Sequence, residues 1–266
     1  NVGSLINDFN NTAVAYDKNK TISMLFEEQT LKTPDRIALV FEDKEMTYKE
    51  LNEKSNSLAH FLRSKGIRRN DIVGIMVNRS FEMIISILAV LKSGATYIPI
   101  DPEYPHDRIE YMLDNSNAKF LLTFGKLQNK VNFENMIFVE LGNNYIYSYD
   151  TSALPNVNTP DDSSYIIYTS GSAGLPKGVV LTHKALTNLS NYCNNYISYL
   201  NDNTYRTIVS VTTVSFDIFI FETLISLQHG LKLVIANEDE QNIPRLLNEL
   251  IKKHNISIIQ TTPSRM

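Results

Sequence analysis

Apolar residues recur along the chain with two periods. Thr47 and Glu50 form a capping-box signature ahead of Leu51, Leu58, Ala59 and Leu62, which share one helix face. Gly66 stands where the end of that helix calls for a left-handed residue. Residues 72–77 are a short apolar run that predicts a strand. Ser80 can cap the next helix. Its Ile84, Ile85, Ile87, Leu88, Val90 and Leu91 leave it apolar nearly all round, which predicts burial. Gly94 closes it, and residues 95–100 read as a strand. Pro105 suits the first turn of another helix, and residues 120–123 are strand-like again.

The second half repeats the style. Strands are predicted at 165–169, 208–211, 231–235 and 256–260. Helices are predicted from Thr182 through Leu186, Leu189 and Tyr196, over 216–227, and from Pro244 through Leu246, Leu247, Leu250 and Ile251. Short apolar strands alternating with helices predict an α/β fold: two layered lobes with mainly parallel sheets covered on both faces. An Asn- and Pro-containing stretch at 142–163 separates the two series, so the lobes are expected at about 21–150 and 160–266. The competing arrangement is one continuous doubly wound sheet. Residues 1–20 are mostly polar and read as a linker.

Composition narrows the classes. A 266-residue chain, 43% hydrophobic and 20% charged, can bury a core without covalent staples. A net charge of −4 with mixed signs gives no nucleic-acid footprint. Cys193 is the only cysteine, so no internal disulfide or cysteine metal site is possible, and a reducing, cytoplasmic setting fits. No apolar run reaches about 18 residues, so no membrane span is expected. The first residues lack a basic-then-apolar leader, so secretion is not expected.

The strongest chemical signal is YTSGSAGLPKG at 168–178. A strand delivers Thr169 into a loop of small residues that a lysine closes. Gly171 and Gly174 let successive N–H groups turn inward as an anion nest around Ser172 and Ala173. Thr169, Ser170 and Ser172 add hydroxyl donors, and Lys177 adds a positive charge. The loop is not the usual P-loop, because Pro176 precedes Lys177 and Gly178 follows it. From the chemistry alone, a Ser/Gly surface turn accounts for it equally well. A second signal is Asp217 in the apolar run at 214–227. A buried carboxylate needs a cation or several donors. The ammonium group of an amino acid is one such partner, and capping the helix that starts there is the other reading.

Other polar residues are set aside. His183 is read as a helix-start residue and Cys193 as core. Asp161 and Asp162 are read as solvated linker acids, and Glu238, Asp239 and Glu240 as a solvent-facing loop. The histidines show no metal-ligand spacing.

The 168–178 run resembles the signature loop of the adenylate-forming superfamily, which includes the adenylation domains of nonribosomal peptide synthetases, acyl-CoA synthetases and luciferases. Ala173 departs from it, because a threonine is usual there, and one phosphate-facing hydroxyl is lost. Residues 46–66 and 91–113 are similar to the first two conserved blocks of peptide-synthetase adenylation domains. Residues 5–42 are similar to the linker and opening helix that follow a condensation domain. Residues 214–227 resemble the block that marks the amino-acid site.

The resemblance implies that Thr169, Ser170, Gly171, Ser172, Ala173, Gly174 and Lys177 bind the phosphates of ATP. It implies that Asp217 holds the substrate α-amino group, and that Phe216, Ile218 and Phe221 belong to the same site, with an apolar or aromatic substrate. Residues 21–266 would be an incomplete adenylation core. No catalytic residue and no metal ligand is expected within it. The acid that holds Mg2+ is expected beyond Met266, and little activity is expected of this stretch alone. The implied function is ATP-dependent amino-acid activation in antibiotic biosynthesis. Its implied partners are a carrier protein with a phosphopantetheine arm and a neighbouring condensation domain. An acyl- or aryl-acid ligase of the same superfamily and a non-catalytic nucleotide-binding module are the alternatives.

Overall fold

The computed structural model of the protein describes residues 10, 11, 13–131, 136–170, 175–198 and 206–262. The chain opens with α1 (Ile22–Lys32), β1 (Ile37–Phe41), β2 (Lys44–Thr47) and α2 (Tyr48–Ser64). It continues through β3 (Ile72–Met76), α3 (Phe81–Ser93), β4 (Thr96–Ile100), α4 (His106–Asn115), β5 (Phe120–Thr123), the short α5 (Gly125–Gln128) and β6 (Ile137–Glu140). Then come β7 (Ser163–Thr169), β8 (Lys177–Thr182), α6 (His183–Ser198) and β9 (Thr207–Ser210). Next, α7 (Ile218–Ile220) runs into a π-helical segment (Phe221–Ile225) and a last turn, α8 (Ser226–Gln228). The chain ends with β10 (Lys232–Ile235), α9 (Glu238–Asn242), α10 (Pro244–Lys253) and β11 (Ile258–Ile259).

Two sheets form, in the orders β6-β5-β3-β4-β7-β8 and β11-β9-β10-β1-β2. Neighbours are parallel except at β7/β8 and β1/β2, which are antiparallel hairpins. The strands alternate as a doubly covered sheet requires. In the first sheet Val73, Ile75, Tyr97, Tyr165 and Ile167 face a shared central core with α2 and α3. Met76, Ile98, Ile100, Ile166 and Tyr168 face α4. In the second sheet Leu39, Ile208, Leu233 and Ile235 face the same central core, while Val40, Val209 and Val234 pack with Leu247 and Leu250 of α10. The result is five layers, helix–sheet–helix–sheet–helix.

Two sheets agree with the sequence reading, but their division does not follow the expected boundary near 150–160. β1 and β2 pair into the sheet of β9–β11, and β7 and β8 pair into the sheet of β3–β6. Wholly apolar strands carry no signal naming their partners, so sequence order was a poor guide to sheet membership.

Local signals decide the helices. Thr47 Oγ1 accepts from the Glu50 N–H (3.1 Å) and Glu50 Oε2 accepts from the Thr47 N–H (2.8 Å), closing the capping box of α2. Ser80 Oγ accepts from the Met83 N–H, and every residue of α3 from Met83 to Ser93 is buried. Gly94 ends α3 at φ +100°, where a Cβ would also lie 2.5 Å from Val157 Cγ2. On α3, Lys92 Nζ donates to Asn52 Oδ1 (2.5 Å) and Asn56 Oδ1 (2.6 Å) of α2 and lies 3.7 Å from Glu27 of α1. Burial pushes its ammonium down to about 8. Three helices are thereby tied at one buried cation.

Two polar readings are corrected. Asp162 is buried, not solvated. It accepts from Arg69 Nε (2.8 Å), Arg69 Nη2 (2.9 Å) and the Thr159 N–H (2.7 Å), which tie the entry to β7 to the turn before β3. Burial opposes ionisation there, but Arg69, Thr159 and Asn70 outweigh it and hold the carboxyl below the usual carboxylate range. Residues 238–240 lie in α9, where Asn237 and Glu240 make a second capping box. The sequence reading of Cys193 agrees with its buried position. No helix among the described residues is long and apolar enough to cross a membrane.

His183 does start α6, but it is fully buried, and its Nδ1 accepts from the Ile22 N–H at 3.4 Å. Burial pushes the imidazole from 6.5 down to about 4, against a small opposing pull from Asp162. A group depressed in the fold binds its proton more readily in the unfolded chain. Stability therefore falls as pH drops from about 6.5 to about 4, by roughly 3 kcal/mol in all. Thermal melts across that range should show the slope in the wild type and its loss in His183→Gln. An unchanged slope in the variant would contradict this account.

Candidate functional site

The site is built around β7, which lies between β4 and β8. Tyr165, Ile166, Ile167 and Tyr168 are buried, whereas Thr169 and Ser170 emerge exposed at the carboxyl end. The chain then turns back, and Lys177 opens β8 directly opposite Thr169 in the antiparallel register. The Lys177 side chain is exposed. Two hydroxyls and an ammonium group thus stand at the mouth of one hairpin. Gly178 permits the return. A Cβ there would lie 3.0 Å from Ile166 Cγ2 and 3.2 Å from the Tyr168 ring, and that ring's hydroxyl is anchored on Asn115 Oδ1 (2.8 Å). Gly171, Ser172, Ala173 and Gly174 lie outside the described residues. Strand β8 stands between this loop and α6 in the chain.

Asp217 is exposed, which corrects the expectation of a buried carboxylate. Its Oδ1 accepts from the Ile218 N–H at 2.9 Å, and it stands at the N-cap of α7. The helix starts immediately after it, so Phe219 and Ile220 turn into the core and Asp217 turns out. Its field still reaches β7. Burial pushes the Tyr165 hydroxyl up to about 12, and the Asp217 carboxylate adds to the push. Tyr165 and Thr169 share one strand face. At about 3.3 Å per residue, Thr169 lies about 13 Å further along it. Phe216, 56% exposed, and the partly buried Ile218 line a depression of about 150 Å³ with Thr212, Thr213, Thr261 and Thr262. Phe221 is half-buried against the central core and does not line that depression.

The buried carboxylate of this run is Glu222, five residues on. It is fully buried within the π-helical segment. Its Oε2 accepts from Ser210 Oγ (2.8 Å) and the Thr212 N–H (3.1 Å), and its Oε1 from Thr212 Oγ1 (2.7 Å). Burial raises its carboxyl while those donors hold it down, and burial prevails. Arg79, between β3 and α3, reaches the same segment. Its nitrogens donate to the carbonyls of Ala236 (2.6 Å), Thr212 (2.7 Å) and Ser210 (2.6 Å), and to Ser210 Oγ (2.9 Å). A cleft of about 320 Å³ opens beside Arg79 at the carboxyl ends of strands from both sheets, lined also by Phe41, Asp101, Val214 and Gln241. Open α/β sheets bind ligands at such strand ends.

The structure thus brings Thr169, Ser170 and Lys177 together at one hairpin mouth, and groups Phe216 and Ile218 at a separate depression beside Asp217. Sequence reasoning passed over Arg79 and Glu222. Glu222 carried a usable signal, as a second acid in the same apolar run. Arg79 carried none, because it is one polar residue at a strand end. Among the described residues, no three His, Cys, Asp or Glu side chains gather to hold a metal ion.

Comparison with known proteins bears on this geometry. The family model described as AMP-binding enzyme matches residues 26–266. Bacitracin synthase 1 of Bacillus licheniformis is 42% identical over 258 residues, which are 97% of this chain and 5% of that protein. The nonribosomal peptide synthetase FmoA3, in its alpha-methyl-L-serine-AMP-bound form, superposes with a TM-score of 0.90 at 25% identity, covering 99% of this chain and 29% of that one. The N-terminal subdomain of Klebsiella oxytoca NpsA, in complex with 3-hydroxybenzoyl-AMSN, superposes with a TM-score of 0.80 at 27% identity, covering 93% of this chain and 61% of that one. The chain therefore spans less than two thirds of the length of each of these relatives.

Proposed function

The chain belongs to the AMP-binding enzyme family, and from that premise we propose that a protein carrying it activates an amino acid by adenylation in nonribosomal peptide synthesis. A carboxylate oxygen of the amino acid attacks the α-phosphorus of ATP. The bond to the bridging oxygen breaks, pyrophosphate leaves, and an aminoacyl adenylate remains. Catalysis of such a step is mostly positioning and charge neutralisation. Thr169, Ser170 and the loop that follows them donate to the phosphate oxygens, and Lys177 offsets their charge. Asp217 receives the ammonium group through the oxygen that Ile218 leaves free. Phe216 and Ile218, which line the depression, supply apolar surface for the side chain, and Phe221, half-buried against the core, is the third apolar contact. The activated acyl group then passes to the thiol of a phosphopantetheine arm on a carrier protein, and a condensation domain is the neighbour. The setting is the cytoplasm.

The observation that carries this reading is the mouth of the β7–β8 hairpin, where exposed Thr169 and Ser170 stand beside the exposed Lys177 that pairs with Thr169 in the strand register. Mg2+ would neutralise phosphate charge when it enters with ATP. The described side chains do not fit a resident ion, and no step is assigned to it.

One observation favours a second reading. Asp217 is exposed and already caps α7, as it would in an enzyme whose substrate has no amine. The aryl-acyl ligand held by the NpsA relative belongs to such chemistry. Exchange of labelled pyrophosphate into ATP separates the two when run on the longest natural polypeptide carrying this sequence. Exchange driven by an α-amino acid supports amino-acid activation. Exchange driven by benzoates or fatty acids alone would replace it with acid ligation.

A further inference from the structure

We propose that Arg79 and Glu222 are positioning residues of the amino-acid site. They would form a charged brace that sets the course of residues 210–222 and so aims Asp217, Ile218 and Phe221. The proposal rests on the amino-acid-activating reading given above.

Both residues grip the same short segment from opposite sides. Arg79 takes its carbonyls, at Ser210 and Thr212, and Glu222 takes its donors, the Thr212 N–H and the Ser210 and Thr212 hydroxyls. Ser210 Oγ joins them, accepting from Arg79 and donating to Glu222, so a single donor direction runs from cation to anion. The two charged groups meet through that segment and the Ser210 hydroxyl, so what they hold is a backbone path. Arg79 also crosses between layers. It leaves the end of β3 in one sheet and binds carbonyls at the ends of β9 and β10 in the other.

The braced segment leads straight into the candidate site. Thr212 and Thr213 line the same depression as Phe216 and Ile218. Thr213 is held in turn by Asp101 Oδ2 (3.2 Å), and the Phe216 N–H closes a turn on the Thr213 carbonyl (3.1 Å). Glu222 itself follows Phe221 in the π-helical segment, a geometry that re-aims side chains within a helix and recurs at functional sites. Glu222 is fully buried and Arg79 partly so. Stability alone gives a weak reason for burying a charge, because replacing a buried ion pair by apolar residues of similar volume is often neutral.

The test uses the longest natural polypeptide carrying this sequence. Pyrophosphate exchange is measured for wild type, Glu222→Gln, Glu222→Asp and Arg79→Lys. Gln presents one oxygen where two are needed, and Lys keeps the charge but loses the planar fork. Glu222→Gln and Arg79→Lys should each raise KM for the amino acid about tenfold or more while KM for ATP stays within about twofold. Glu222→Asp should recover part of the loss. Amide hydrogen exchange should show residues 211–222 losing protection in both variants while α3 and β3–β5 keep theirs. Equal shifts in both KM values would overturn the proposal. So would lower exchange with unchanged KM, or unchanged protection of residues 211–222. Each of those results in a wild type active with amino acids leaves the amino-acid reading standing. A wild type active only with acids lacking an amine overturns that reading and the proposal together.

Discussion

Lys177→Ala is expected to lower ATP-dependent pyrophosphate exchange by about 10²–10³-fold, the range seen when one preorganised donor to developing charge is removed. Lys177 places a cation at the hairpin mouth, opposite Thr169 in the strand register. On the proposed reading a triphosphate would bring several negative charges there, and backbone amides can supply only partial positive charge. Its ammonium group is exposed, so the substitution removes no buried contact and the fold should melt as before. Exchange kinetics read beside a melting curve check this. Wild-type exchange in a folded Lys177→Ala protein would remove the loop from the phosphate site. Lys177→Arg should recover part of the rate, because a guanidinium also binds phosphate oxygens.

The second large effect concerns Asp217. Asp217→Ala is expected to raise KM for the amino acid about 10²-fold, consistent with loss of a charge-assisted hydrogen bond to the substrate ammonium group. KM for ATP should hardly move. The competing role, a helix cap, gives a different pattern. Removing a cap costs about 1 kcal/mol of stability and leaves substrate affinity alone. Isothermal titration with the activated amino acid, paired with thermal melts, separates the two. A lower melting point with unchanged affinity would assign Asp217 to the cap only.

These two residues also mark what the sequence could and could not show. The long helices were legible because their signals are local, although the short α9 was read as a loop. The Thr47–Glu50 box, the Ser80 cap and the left-handed Gly66 and Gly94 each act within a few residues. Strands β3, β4, β5, β7, β9, β10 and β11 were legible as apolar runs, but β1, β2, β6 and β8 were not read, and neither were the strands' partners. The β1–β2 and β7–β8 hairpins therefore went unforeseen within sheets that are, as expected, mainly parallel. The loop after Thr169 stood out through its resemblance to a family signature, since a Ser/Gly surface turn accounted for its residues equally well. Burial of single polar residues was the weak point. Asp217 stood out as an acid among apolar residues, yet the buried acid of that run is Glu222. Asp162 was read as solvated because its partner Arg69 lies 93 residues earlier. A carboxylate's surroundings depend on what the fold brings to it, and the flanking residues do not state that.

The claim beneath all of this is tested most directly by a structure of the intact polypeptide with a non-hydrolysable ATP analogue and its amino acid. The account predicts β- and γ-phosphate oxygens within about 3.2 Å of Thr169, Ser170 or Lys177, and the substrate ammonium group on Asp217. Phosphates seated in the cleft beside Arg79 and Asp101, with Asp217 bonded only to Ile218, would contradict it.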